Sequence, residues 1–167
     1  MADDEAELDA YQQSEECRAE QAKRQAAEDE LILWLASHPG VQVTSHGGKF
    51  PEQWWGTIDD GRSWYFRERG GTWRIELDLR PTGQFYLLWK GGDFDDEASY
   101  EPEPIEKGDV TATGTVASEG YGDRPAERAA FIVGVVRDHL RRQSCKHATG
   151  STFCPDCGTR LAEDPTP

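Results

Sequence analysis

Trp64-Tyr65-Phe66-Arg67-Glu68-Arg69-Gly70-Gly71-Thr72-Trp73-Arg74-Ile75-Glu76-Leu77-Asp78-Leu79 alternates apolar and polar side chains on both sides of a Gly-Gly pair. A period of two is that of a half-buried β-strand, and Gly-Gly is a two-residue hairpin signal. With Gly70 and Gly71 as the loop, Arg69 faces Thr72, Phe66 faces Ile75 and Trp64 faces Leu77. Upstream, Asp59-Asp60-Gly61 is a second turn signal, which places Trp54 near Phe66 and Gly56 beside Trp64. Downstream, Pro81-Thr82-Gly83 suits a three-residue loop and predicts pairing of Leu79 with Phe85, Leu77 with Leu87 and Ile75 with Trp89. All three registers gather large apolar groups on one face and leave Tyr65, Arg67, Arg74, Glu76, Asp78 and Tyr86 on the other. A slip of one residue would invert every side chain, so their agreement specifies the pairing.

The expected fold class is α+β: an antiparallel meander of four to five strands, with Val110 to Val116 offering the fifth. The segment Glu28 to Ser37 changes to a helical period, with Leu31, Trp34 and Leu35 on one face and His38 a turn further on. His38-Pro39-Gly40 ends it, because proline disfavours helical geometry at the residue before it. Residues 3–30 are rich in Ala, Glu and Gln but hold few apolar anchors, as in a solvated helix or fraying tail. After an acidic, proline-containing loop over 92–106, Asp123 is the expected N-cap of a second helix, with Pro125 in its first turn. Ala129, Ile132, Val136 and Leu140, widened by Val133 and Val135, give that helix a stripe able to cover the meander. The expected layout is an acidic helical segment over 1–40, a core domain over 41–143, and a small metal-binding tail over 144–167.

Of 167 residues, 32 are Asp or Glu and 18 are Lys or Arg, a net charge of −14. Residues 1–30 carry −8 of this and residues 92–106 carry −7, so the remainder is almost neutral. Residues 124–146 lean the other way, with a net of +4. The longest apolar run, Leu31 to Ala36, is far too short to cross a bilayer. Met1 to Glu5 has neither the basic nor the apolar region of a secretory signal, and four cysteines are few for a disulfide scaffold. Cytoplasmic localisation is the expectation.

The most specific chemical signal is Cys145-Lys146-His147 followed, after six intervening residues, by Cys154-Pro155-Asp156-Cys157-Gly158. Thiolates and imidazole are zinc donors, and a closed set of four is normally structural. The short spacing from Cys154 to Cys157 lets one turn present both sulfurs, with Pro155 stiffening it and Gly158 permitting a sharp exit. Few apolar residues surround the cluster beyond Phe153 and Leu161, so its folding is expected to depend on the metal. Other readings are a redox CxxC, Cys17 in place of His147, or three inert thiols. Cys154-Pro155-Asp156-Cys157-Gly158 resembles the CPxCG knuckle of zinc ribbons and rubredoxin-like modules. It departs from a full ribbon in that its other half is Cys145-x-His147. In style, Trp55 to Gly61, Trp64 to Arg67 and Gly71-Thr72-Trp73 are similar to uncharacterised small proteins of actinobacteria and their phages, a likeness that implies no activity.

Other candidate chemistry is weaker. Gly47-Gly48-Lys49-Phe50 lacks the spacing of a phosphate loop, and Asp93-Phe94-Asp95-Asp96-Glu97 lacks that of a calcium loop. His38, His46 and His139 stand apart from any nucleophile motif. Tyr65, Tyr86, Arg67 and Arg74 read either as the margin of the core or as a stacking platform for single-stranded nucleic acid; the first is preferred. The expectation is therefore a non-enzymatic protein holding Zn2+ through Cys145, His147, Cys154 and Cys157 and acting on a protein partner. One alternative is nucleic-acid binding through the basic helix 124–142 and the knuckle, using Arg137, Arg141, Arg142, Lys146 and Arg160. The other is an acidic DNA mimic that inhibits a host nucleic-acid enzyme. No membrane and no small-molecule substrate is expected.

Overall fold

A computed structural model describes residues 15–147 and 152–160. The elements are α1 (Glu15–Ala36), β1 (Val41–Gly47), β2 (Glu52–Ile58), β3 (Arg62–Arg69), β4 (Thr72–Trp89), a single 3-10 turn (Glu97–Ser99), β5 (Tyr100–Thr115) and α2 (Pro125–Ser144). The strands form one antiparallel sheet in chain order, so the expected α+β meander is present with five strands. Two compact units emerge from the described residues. One takes those within 1–39 and 119–131, the other those within 40–118 and 132–167.

Two of the three predicted turns hold to the residue. Arg69 pairs with Thr72, Phe66 with Ile75 and Trp64 with Leu77 across Gly70-Gly71. Trp54 pairs with Phe66 and Gly56 with Trp64 across the Asp59 to Gly61 loop. Period-two alternation thus puts Trp54, Ile58, Trp64, Phe66, Trp73, Ile75 and Leu77 in the core. Ile132, Val133 and Val136 of α2 are buried in the same unit, as the apolar stripe requires. Each fully buried Ile or Val stabilises the fold by about 1.5–3 kcal/mol. Arg137 fastens this half of α2 to the β2–β3 turn, donating to Asp59 Oδ1 at 2.8 Å.

The third predicted turn is a correction. Pro81-Thr82-Gly83 does not reverse the chain: β4 continues to Trp89, and Gly83, at φ +78°, sits in a bulge between the pairs Pro81–Glu106 and Phe85–Pro104. Ile75 pairs with Ala112 instead of Trp89, and Trp89 with Tyr100. The turn chemistry is real but local, since the Thr82 hydroxyl donates to Ile105 O at 2.8 Å across the ladder and accepts from Gln84 N. Pro81 is tolerated because β4 has by then lost its β3 neighbour, whose last pair is Trp64 with Leu77. The predicted acidic loop over 92–106 shrinks accordingly: Tyr100 onward is strand, and the reversal occurs between Lys90 and Ser99.

Beyond Leu77, therefore, β4 and β5 leave the sheet as a two-stranded arm. Every residue from Arg80 to Ala98 is exposed. The arm includes Pro81, Pro102 and Pro104, and at its tip Trp89 stacks on Phe94 with ring centroids 4.6 Å apart.

In the other unit, α1 has an exposed face up to Glu30 and buries Leu31. Trp34 and Leu35 are half-buried, and Trp34 stacks on His38 at 4.0 Å. Residues 3–14 of the predicted tail lie outside the described residues. The second helix begins at Pro125, so Arg124 rather than Asp123 is its cap residue. Glu127 closes the cap by accepting from Asp123 N and Arg124 N, which holds its carboxyl below the usual range. Arg128 is buried and donates to Tyr121 O, Tyr121 Oη and Gly122 O, with its guanidinium 3.5 Å from the centre of the Tyr121 ring.

Candidate metal centre

The end of α2 delivers the first donor. Cys145 follows Ser144 directly, and its backbone N–H still donates to Arg142 O. The second pair comes from a tight knuckle: Gly158 N donates to Cys154 O at 2.8 Å, Cys154 N donates to Thr159 O at 2.9 Å, and Phe153 bridges to Arg160. Gly158 has φ +70°, the left-handed conformation that its position after the turn requires. The ring closed by these bonds aims both sulfurs inward, and Cys154 and Cys157 are buried in a segment otherwise exposed to solvent save for the half-buried Thr159.

The sequence-predicted quartet is brought together. One donor atom from each of Cys145, His147, Cys154 and Cys157 lies within 4.8 Å of the other three. Cys145 Sγ is 3.3 Å from Cys154 Sγ, and Cys157 Sγ is 3.4 Å from His147 Nε2. This group of three thiols and an imidazole could hold a metal ion. Among the described residues it is the one cluster of three or more metal-ligating side chains so grouped. Cys17 lies on α1, where Gln21 Nε2 donates to its sulfur, and the quartet is complete without it.

Electrostatics separate the thiols. Hydrogen bonding to Cys154, with burial, pushes the Cys145 thiol up to about 12. Cys157 is brought down to about 6, because the Thr159 hydroxyl, 3.2 Å away, and the Thr159 backbone N–H favour its thiolate. Thr159 is a supporting residue that spacing alone does not reveal. It follows Gly158 as an ordinary polar residue, and only the folded turn brings its hydroxyl to the sulfur.

The basic residues predicted for nucleic acid are not gathered into one free patch. Arg137 is held by Asp59 and Arg141 by Asp138 at 2.9 Å, while Arg142, Lys146 and Arg160 are exposed. Gly47 to Phe50 joins two strands and opens no helix. At the arm tip, the Asp93 and Asp96 carboxylates accept from Asp95 N and Ala98 N and so act as turn caps. His46 stacks on Trp54, and His139 Nε2 is buried without a hydrogen-bond partner. Among the described residues, no helix is long and apolar enough to cross a membrane.

Comparison with protein-family models, curated proteins and solved structures finds no match to this chain. The arrangement of its own residues is what bears on function.

Proposed function

We propose that this is a non-enzymatic, zinc-clasped interaction protein whose β4–β5 arm docks on a basic protein partner. The observation that carries the reading is the arm's surface. Phe85, Leu87 and Phe94 are 63%, 69% and 68% exposed, with Tyr86, Leu88 and Trp89 also open to solvent. A two-stranded ribbon is only marginally stable by itself, and contiguous apolar surface of this kind is characteristic of a contact site. Seven carboxylates lie between Asp93 and Glu106, while Lys90 is already paired with Glu101 and Glu103. Charge complementarity therefore favours a partner with a basic surface around an apolar groove.

The donor chemistry favours zinc. With zinc–sulfur bonds of about 2.3 Å, tetrahedral geometry sets sulfurs about 3.8 Å apart. The Cys145 and Cys154 sulfurs, 3.3 Å apart, are somewhat closer than this, Cys157 Sγ and His147 Nε2 at 3.4 Å are near the roughly 3.5 Å of a sulfur–nitrogen pair, and all four donors lie within 4.8 Å. Four protein donors leave no coordination position for an activated water, which supports a clasp rather than a reaction centre. The ion pairs of Arg137 and Arg141 weigh against nucleic-acid binding by the helix. The aromatic surface of the arm weighs against mimicry of DNA, which needs carboxylates alone.

The test is capture from nuclease-treated source lysate with the wild type and with a Phe85→Ser/Leu87→Ser/Phe94→Ser variant. A basic protein retained by the wild type, released by salt and absent from the variant is the expected result. Retention of the same proteins by both chains would overturn the reading.

A further inference from the structure

The polar face of the sheet carries an arrangement that folding alone does not explain. Arg67 on β3 stands directly opposite Arg74 on β4, and Arg69 lies two residues along the same strand, opposite Thr72. Like charges facing one another across a ladder destabilise it. Glu76 neutralises Arg74 at 2.8 Å, but among the described residues no carboxylate pairs with Arg67 or Arg69. In a chain with a net charge of −14, surplus cationic charge on the sheet's polar face is conspicuous.

The three guanidinium groups line a cleft of about 620 Å³ whose remaining wall includes Thr72, Thr113 and Thr115. Thr113 is the β5 partner of Arg74, and Thr115 that of Thr72, so the sheet register places hydroxyl and guanidinium donors together. A second cleft, of about 470 Å³, shares Arg67 and Arg74 with the first and extends toward the base of the arm. One wall is aromatic, formed by Trp55 and Tyr65, with ring centroids 4.9 Å apart, and the half-exposed Tyr86. Both volumes fall in the usual range for small-molecule sites, about 300–1,000 Å³. Of the three carboxylates at the aromatic end, Glu76 is engaged by Arg74 and Gly108 N and Glu103 by Lys90, while Glu106 is exposed beside Lys107.

The geometry points to a binding site for a nucleoside phosphate, with the phosphate held by Arg67, Arg69 and Arg74 and the base stacked at Trp55 and Tyr86. Guanidinium forks match phosphate oxygens, and aromatic faces take any base without reading its edge. A bound phosphate supplies the counter-charge that Arg67 and Arg69 lack, so the site gains most from a dianionic or strand-linked phosphate. A free nucleotide and a single strand present the same chemistry.

Calorimetric titration of the full chain separates the cases, using inorganic phosphate, adenosine, adenosine monophosphate and a ten-nucleotide oligothymidylate. Adenosine monophosphate or the oligonucleotide is expected to bind about tenfold or more tighter than phosphate or adenosine, more weakly as salt is raised. Whichever of the two binds tighter identifies the free or the strand form. Arg67→Gln/Arg69→Gln should weaken either at least about tenfold. Tyr86→Ser should reduce affinity for the nucleotide and leave that for phosphate unchanged. Thr113→Glu, which sets a carboxylate in the anion end from β5, should abolish binding in a chain of unchanged circular dichroism. No tighter binding of nucleotide than of phosphate, or full binding by folded Arg67→Gln/Arg69→Gln, would overturn the proposal.

Discussion

Gly56 has no side chain, and Trp64 uses the space. The indole of Trp64 lies over the glycine from the neighbouring strand, and a Cβ added there would collide with that ring and with Gln42 O. Gly114 stands in the same relation to Trp73, whose indole N–H then reaches Thr115 O at 2.8 Å. These cross-strand pairs let two tryptophans lie close against the sheet backbone. Gly56→Ala should therefore destabilise the protein by about 1–3 kcal/mol, the usual cost of overpacking, seen as a lower denaturant midpoint with unchanged slope. A midpoint equal to the wild type would show that Trp64 can move aside. The Gly56–Trp64 contact was legible in the sequence, because the Asp59 to Gly61 turn fixes the register. The Arg137–Asp59 ion pair was not, since its partners are 78 residues apart and no local pattern couples them.

At the scale of elements, the decisive place is where β4 leaves β3. Asp78 adopts φ +56° just past the last β3–β4 pair, and Arg62 holds its carboxylate with two hydrogen bonds of 2.9 and 2.6 Å. The hydrogen bond from Arg62 keeps the Asp78 carboxyl below its ordinary value of 3.8. A depressed carboxyl stabilises the fold fully above the unfolded value and loses that contribution as pH falls through the folded one. Asp78→Asn preserves the left-handed backbone, so it should be less stable than wild type at pH 7, with the difference closing below about pH 4. A pH-independent difference in denaturant midpoint would contradict this role. The same region shows where sequence reasoning stopped. Pro81-Thr82-Gly83 has turn composition, and a bulge uses the same conformations as a turn, so composition cannot tell one from the other. Pairing with Glu106 and Pro104 decided it, and that partner strand was hidden by its own prolines and acidic residues, which read as loop.

The whole molecule combines a sheet that carries its own apolar core with a tail that does not. Trp64, Phe66, Ile75 and Leu77, all strand residues, are buried in the sheet's core. The knuckle's described residues offer Phe153, itself 56% exposed, and its buried cysteines. Metal removal should therefore be a local event. The protein should bind about one zinc ion per chain, and chelation or Cys154→Ser should abolish hydrogen-exchange protection from Cys145 onward while leaving that of β2 to β4 intact. Protection of the knuckle in metal-free protein would refute the clasp. The Cys and His cluster was readable because its four members fall within 13 residues, where chain geometry alone enforces proximity. The arm was not, since exposure of Phe85 and Leu87 is a property of what β4 fails to meet. Its three prolines carry a further implication. Proline supplies no backbone donor, so Pro81, Pro102 and Pro104 interrupt the rims along which a second ribbon would otherwise zip. Strand-to-strand stacking of two arms is thereby disfavoured by backbone chemistry, which leaves the apolar side chains to meet a different kind of neighbour.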